Sequence, residues 1–258
     1  MRDEHDILLD TCAECSTPVA VHHRYCPNCG AYLPDQSVPI NIFNNTALRR
    51  VFIFYFIYLF ICLLVKHTAW FETYDQLFWV ELLLAGITGF YAWQNRKHIK
   101  PLLKFRNVEL SFVMAIILIA AGTSLLVSLT VREVNINFFN SEVSYYQGFR
   151  SYFLPLVLMV YSIALLPAFF EELAFRGVLF NYCSTFLDER LVVAVTAFLF
   201  AIMHLSLISM VWLIPFGFLI GYLRQRYQTL WYGIIFHFVF NLTACIADLY
   251  REGIISSF

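Results

Sequence analysis

The residues best equipped for chemistry sit where this chain is most apolar. Glu171 and Glu172 are adjacent, and Arg176 follows within the run Pro167-Ala168-Phe169-Phe170-Glu171-Glu172-Leu173-Ala174-Phe175-Arg176-Gly177. A charge at membrane depth costs about 2.5–3.5 kcal/mol even on lenient insertion scales, so three so close together require a reason. On a helix Glu172 and Arg176 share a face and can pair. Glu171 is rotated about 100° away and stays free for another task. The bland alternative is a salt-bridged helix end whose long side chains snorkel to the membrane surface. Two later histidines weigh against it. Phe200 and His204 are spaced for one helix face, as are His237 and Asn241. A glutamate pair, two histidines and an asparagine on three spans supply a base, donors and possible metal ligands around one wet pocket. A carboxylate there would deprotonate attacking water, and donors placed where charge develops would lower the barrier. Two histidines and a glutamate could equally bind a divalent metal that activates the water. No His-Glu-x-x-His run is present, so the familiar helical zinc motif is absent.

A second constellation lies near the N-terminus. Cys12 and Cys15 form one Cys-x-x-Cys pair and Cys26 and Cys29 another. Each pair can chelate from one tight turn, which together makes a tetrahedral thiolate site for structural Zn2+. Pro27 and Gly30 suit such turns. His22 and His23 are alternative ligands or solvated loop residues. Four thiolates close the coordination sphere, so this site is structural and its module suits recognition of a cytosolic protein partner. A fold this small needs its metal.

These residues need a membrane to position them. Of 258 residues 60% are hydrophobic and 14% charged, against about 45–50% and about 25% in soluble domains. The expectation is an all-α polytopic membrane protein with seven or eight transmembrane helices and a small N-terminal zinc ribbon. Residues 1–34 form the ribbon with a disordered start, 35–46 a linker and 47–258 the membrane domain. Spans of about 20 residues are expected at 47–66, 77–95, 108–131, 151–180, 191–208, 210–223 and 229–249, with a possible break near Pro167. The glutamate motif then falls near the cytoplasmic end of the fourth. Trp212, Trp231 and Tyr232 read as interfacial anchors. Arg49 and Arg50, the basic loop 96–106, Arg190, and Arg224 with Arg226 fall on one side when the N-terminus is cytoplasmic. The lipid bilayer is the expected surrounding, and no nucleic-acid partner is expected.

The ordered triple Glu-Glu-x-x-x-Arg (Glu171, Glu172, Arg176), Phe-x-x-x-His (Phe200, His204) and His-x-x-x-Asn (His237, Asn241) resembles the CPBP family of intramembrane proteases, the CAAX-protease and bacteriocin-processing or Abi family. The likeness covers about residues 150–245, and Gly217 and Gly221 before Arg224 agree with it. It implies hydrolysis of a peptide bond in a membrane-associated protein or peptide. Glu171 would be the general base and His204 would help hold the water. His237 and Asn241 would stabilise the oxyanion, Glu172 would support the site, and Arg176 would pair with a carboxylate. The family is called metalloprotease, and a metal-free glutamate mechanism is also argued for it. The competing reading is a non-catalytic membrane adaptor or chaperone working through its ribbon. The ribbon resembles those at the N-termini of prokaryotic membrane proteins, which implies a prokaryotic cytoplasmic membrane.

Overall fold

The computed structural model describes residues 8–12, 14–20, 25–33, 42–105, 108–139 and 144–255. The chain divides into two compact units, Met1–Asn45 and Thr46–Phe258.

In the first unit β1 (Leu8–Thr11) pairs antiparallel with β2 (Pro18–Ala20), with Thr11 opposite Pro18. Two turns with the same hydrogen bonding carry the cysteines. Cys12 N donates to Thr17 O and Ser16 N to Cys12 O; Cys26 N donates to Ala31 O and Gly30 N to Cys26 O. Ser16 and Gly30 occupy matching places with φ of 57° and 72°. Glycine adopts that left-handed conformation freely, whereas serine does so at a cost. His22 and His23, and most of the 35–46 linker, lie outside the described residues.

The second unit is helical. Its elements are α1 (Thr46–His67), α2 (Tyr74–Gln94), α3 (Arg96–Leu102), α4 (Leu110–Phe139), α5 (Pro155–Cys183), α6 (Glu189–Met203), α7 (Leu207–Tyr227) and α8 (Trp231–Arg251). Each expected span corresponds to a helix, but among the described residues five helices, α1, α4, α5, α7 and α8, are long and apolar enough to cross a membrane. The count is therefore below the seven or eight expected. α2 is long enough, but Asp75, Glu81 and several Trp, Tyr and Gln residues dilute its hydropathy. α6 has 15 residues, about 22 Å of helix against a hydrocarbon core of about 30 Å.

α4 and α5 differ from expectation in ways that bear on the site. α4 continues past residue 131 to Phe139, carrying Arg132 into the helix. α5 is one continuous helix, not two short ones. It stays continuous by widening to π-helical turns at Val160–Leu165 and Leu173–Leu179. Glu171 and Glu172 consequently lie well inside α5, with eleven residues following Glu172 up to and including Cys183, rather than near its end.

Helix packing is closest where side chains vanish. A Cβ built on Gly217 would meet Ala197 Cα and Cβ at 2.9 Å, and one on Gly221 would meet Val193 Cγ1 at 3.1 Å. α7 thus lies backbone-close on α6 through the two glycines, the close approach small residues permit. The α7–α8 connection docks on the end of α3, with Leu230 N donating to Leu102 O at 3.0 Å and Trp231 Nε1 to Leu103 O at 2.9 Å. Tyr232 is 1% exposed, and its hydroxyl accepts from Glu109 N. Trp231 and Tyr232 are therefore packing residues rather than interfacial anchors.

Gly217→Ala is expected to destabilise the membrane unit by about 1–3 kcal/mol, because the backbone of Ala197 must move. Gly122→Ala, with nothing within 4 Å of the added carbon, should leave it unchanged or slightly firmer. Thermal melts of the two variants in one detergent check the contrast.

Candidate active site

The site grows from one buried pair. Arg176 Nη1 donates to Glu172 Oε1 at 3.0 Å, and neither side chain has exposed surface. Arg176 Nη2 donates to Gly217 O at 3.3 Å, and its guanidinium lies 4.4 Å over the Phe200 ring. The same carboxylate oxygen of Glu172 lies 3.1 Å from His237 Nδ1. A Cβ on Gly233 would come within 2.9 Å of Glu172 Oε2, so the glycine makes room for the carboxylate. One acid on α5 thereby ties α5, α7 and α8 together, with Phe200 of α6 against its partner.

These bonds assign the imidazole tautomers. A carboxylate only accepts, so His237 Nδ1 carries the proton it donates to Glu172. His204 Nδ1 is 2.9 Å from Phe200 O. A carbonyl likewise only accepts, so this proton is also on Nδ1. A ring that carries only this proton leaves Nε2 as an acceptor. His237 Nε2 is 4.0 Å from Glu171 Oε2. The Glu171 side chain is 33% exposed, in contrast to the sealed Glu172.

Pro167 and Asn241 form a linked device. Proline has no N–H to give to the carbonyl one turn back, that of Ile163. Asn241 Nδ2 donates to Ile163 O at 2.8 Å. Arg224 serves the second widened turn in the same way, with Nε donating to Arg176 O at 3.2 Å and Nη2 to Asn181 Oδ1 at 3.0 Å. The sequence pattern reads Arg224 as a loop cation, whereas the structure buries it.

Glu171, His204, His237 and Asn241 all line a cavity of about 340 Å³. Glu172 and Arg176 stand behind its wall. Trp212 lines this cavity too, so it faces the site rather than the membrane interface. A second, more apolar cavity of about 220 Å³ meets the first at Pro167, Glu171 and His204. Glu81 and Arg132, neither identified from the sequence, line the second and first cavities respectively. Ser162 Oγ lies 2.9 Å from Glu81 Oε2 and 3.0 Å from Tyr74 Oη. A hydroxyl donates once, so Ser162 donates to Glu81 and accepts from Tyr74. The available signal for both was a charge breaking an apolar helical run.

In the N-terminal unit the sulfurs of Cys12, Cys15, Cys26 and Cys29 lie within 4.8 Å of one another. Cys12 and Cys29 are 3.6 Å apart and Cys15 and Cys26 3.5 Å. A tetrahedron with metal–sulfur bonds of about 2.3 Å has sulfur–sulfur edges of about 3.8 Å, so the cluster fits a metal ion. Hydrogen bonding to the side chain and backbone of Thr17 lowers the Cys15 thiol to about 6, favouring the thiolate a metal needs. Among the described residues this is the one group of three or more potential ligands whose donor atoms converge.

Residues 153–243 match the family model described as Type II CAAX prenyl endopeptidase Rce1-like, a similarity that falls on the segment carrying the three motifs. No curated protein and no solved structure matches the chain.

Asn241→Ala should destabilise the protein by about 1–3 kcal/mol, since it removes the side-chain donor from the part-buried Ile163 carbonyl. The loss should be smaller when Pro167→Ala restores a backbone donor. A double-mutant cycle on melting in detergent measures that coupling.

Proposed function

We propose that this protein is an intramembrane endopeptidase that hydrolyses a peptide bond of a membrane-associated protein or peptide. The observation that supports this most directly is the shared cavity wall. It joins a half-open carboxylate, Glu171, to two imidazoles that offer acceptor Nε2 atoms. The 4.0 Å between Glu171 Oε2 and His237 Nε2 is too long for a hydrogen bond and suits one bridging water.

In this reading Glu171 takes a proton from that water as its oxygen attacks the scissile carbonyl carbon. His204 Nε2 helps to orient the water. The proton then passes from Glu171 to the amine nitrogen as the carbon–nitrogen bond breaks. For the oxyanion role His237 carries a solvent proton on Nε2, which it donates to the oxyanion while Glu172 on Nδ1 supports the imidazolium. Asn241 spends one amide hydrogen on Ile163 and keeps a second for the same oxyanion. Arg176 pairs with Glu172 and holds it in place. A divalent metal there would draw on His204, His237 and Glu171, whose donor atoms do not converge as the four sulfurs do, and would supply a Lewis acid for the water.

The N-terminal cluster is assigned Zn2+ in a structural role, on a module that recruits a cytosolic protein partner. That module belongs on the cytoplasmic side of a prokaryotic membrane, where thiols stay reduced. The favoured substrates are peptides undergoing maturation rather than prenylated C-terminal tails.

Glu171→Gln should lower kcat at least about 100-fold without moving the melting temperature. Turnover that survives this change would remove Glu171 as the base, and cellular function that survives without turnover would leave the adaptor reading. Elemental analysis of the Cys12/Cys15/Cys26/Cys29→Ser protein should show loss of zinc. Metal that remains there and disappears with His204→Ala and His237→Ala would mark a metal-dependent site; with none remaining, hydrolysis proceeds on Glu171 alone.

A further inference from the structure

The main cavity contains a cation that the hydrolytic set does not use. On α4, Ser124, Ser128, Arg132 and Asn135 follow one another at helical spacings, forming a polar stripe on an apolar helix. Ser124 Oγ donates to Phe240 O at 2.6 Å, which turns this stripe toward α8. Ser128, Arg132 and Asn135 line the cavity that also holds Glu171, His204, His237 and Asn241. Arg132 Nε is buried and has no hydrogen-bond partner. Among the described residues no carboxylate pairs with Arg132; the adjacent Glu133 is exposed and bonded to Asn137. The other guanidinium lining the cavity, Arg251, is neutralised by Asp248 at 2.8 Å, and Asp248 also accepts from Ser144 Oγ and Tyr146 N.

A buried donor on a guanidinium is costly to leave unmade. The planar fork of arginine matches a carboxylate in two parallel hydrogen bonds. We propose that Arg132, flanked by Ser128 and Asn135, is a carboxylate-binding subsite that holds an anionic end or side chain of the substrate and so sets which peptide bond lies against Glu171. This rests on the hydrolytic reading. The anion is a carboxylate because an unmodified peptide carries no other: it has one at a free C-terminus and one on each Asp or Glu. The cavity is at the small end of the about 300–1,000 Å³ usual for ligand sites, so a short segment connects the two ends.

The test uses the full chain in detergent, carrying Glu171→Gln so that bound peptide is not turned over. Three fluorescent, unprenylated apolar peptides of one sequence serve as probes: one with a free C-terminus, one amidated, and one amidated with a C-terminal Glu. A carboxylate-bearing peptide should bind about tenfold or more tightly than the uncharged amide, a difference of about 1.4 kcal/mol. The free-acid and Glu-amide arms identify which source of carboxylate is read. Arg132→Gln should erase the preference and Arg132→Lys keep part of it. Arg132→Glu should reverse it toward a peptide ending in an aminoethylamide, a gain that misfolding cannot produce. Equal binding of all three probes overturns the subsite. Cleavage by the wild-type chain without carboxylate preference overturns the subsite and leaves the hydrolytic reading standing. Preference without cleavage sustains the subsite and overturns hydrolysis, and neither binding nor cleavage overturns both.

Discussion

The membrane unit depends on the ion pair between Glu172 and Arg176. Two charges with no exposed surface lose several kcal/mol of hydration each, and only close geometry with further hydrogen bonds offsets that loss. The surroundings are arranged accordingly: a carbonyl from α7, an imidazole from α8, an aromatic face from α6, and a glycine on α8 whose missing Cβ leaves room for the carboxylate. Removing one partner would strand the other, a loss of about 3–5 kcal/mol in comparable cases. The pair therefore locks four helices and, through His237, fixes the tautomer of a ring that faces the cavity.

The second constraint is backbone. α5 must present two adjacent glutamates to different environments, one sealed and one half open. Widened turns on either side of them free carbonyls that an ordinary helix would satisfy, and such turns are frequent at functional sites. Asn241 and Arg224 receive two of those carbonyls. Side chains that resemble catalytic or topological markers thus also close the hydrogen-bond accounting of a helix. The N-terminal unit solves a different problem. Its core is too small to hold a fold alone, so two matching turns bring four sulfurs to metal-binding distances.

By itself the sequence determined the helical membrane class and the four-cysteine cluster, and it singled out Glu171, Glu172, Arg176, His204, His237 and Asn241, which the fold brings together, because spacing of three or four and clustered charges in apolar runs have only a few physical readings. The glycine pair before Arg224 was legible for the same reason, since small residues one turn apart make a close face. Helix ends were less legible: hydropathy stops at Arg132, whereas backbone hydrogen bonding does not. Only the tertiary structure decided which glutamate is sealed and which is open, which nitrogen of each histidine is free, that Arg224 and Tyr232 are buried, and that Arg132 and Glu81 reach the cavities. These depend on which face of each helix meets its neighbours, and local periodicity carries no information about the partner across the gap.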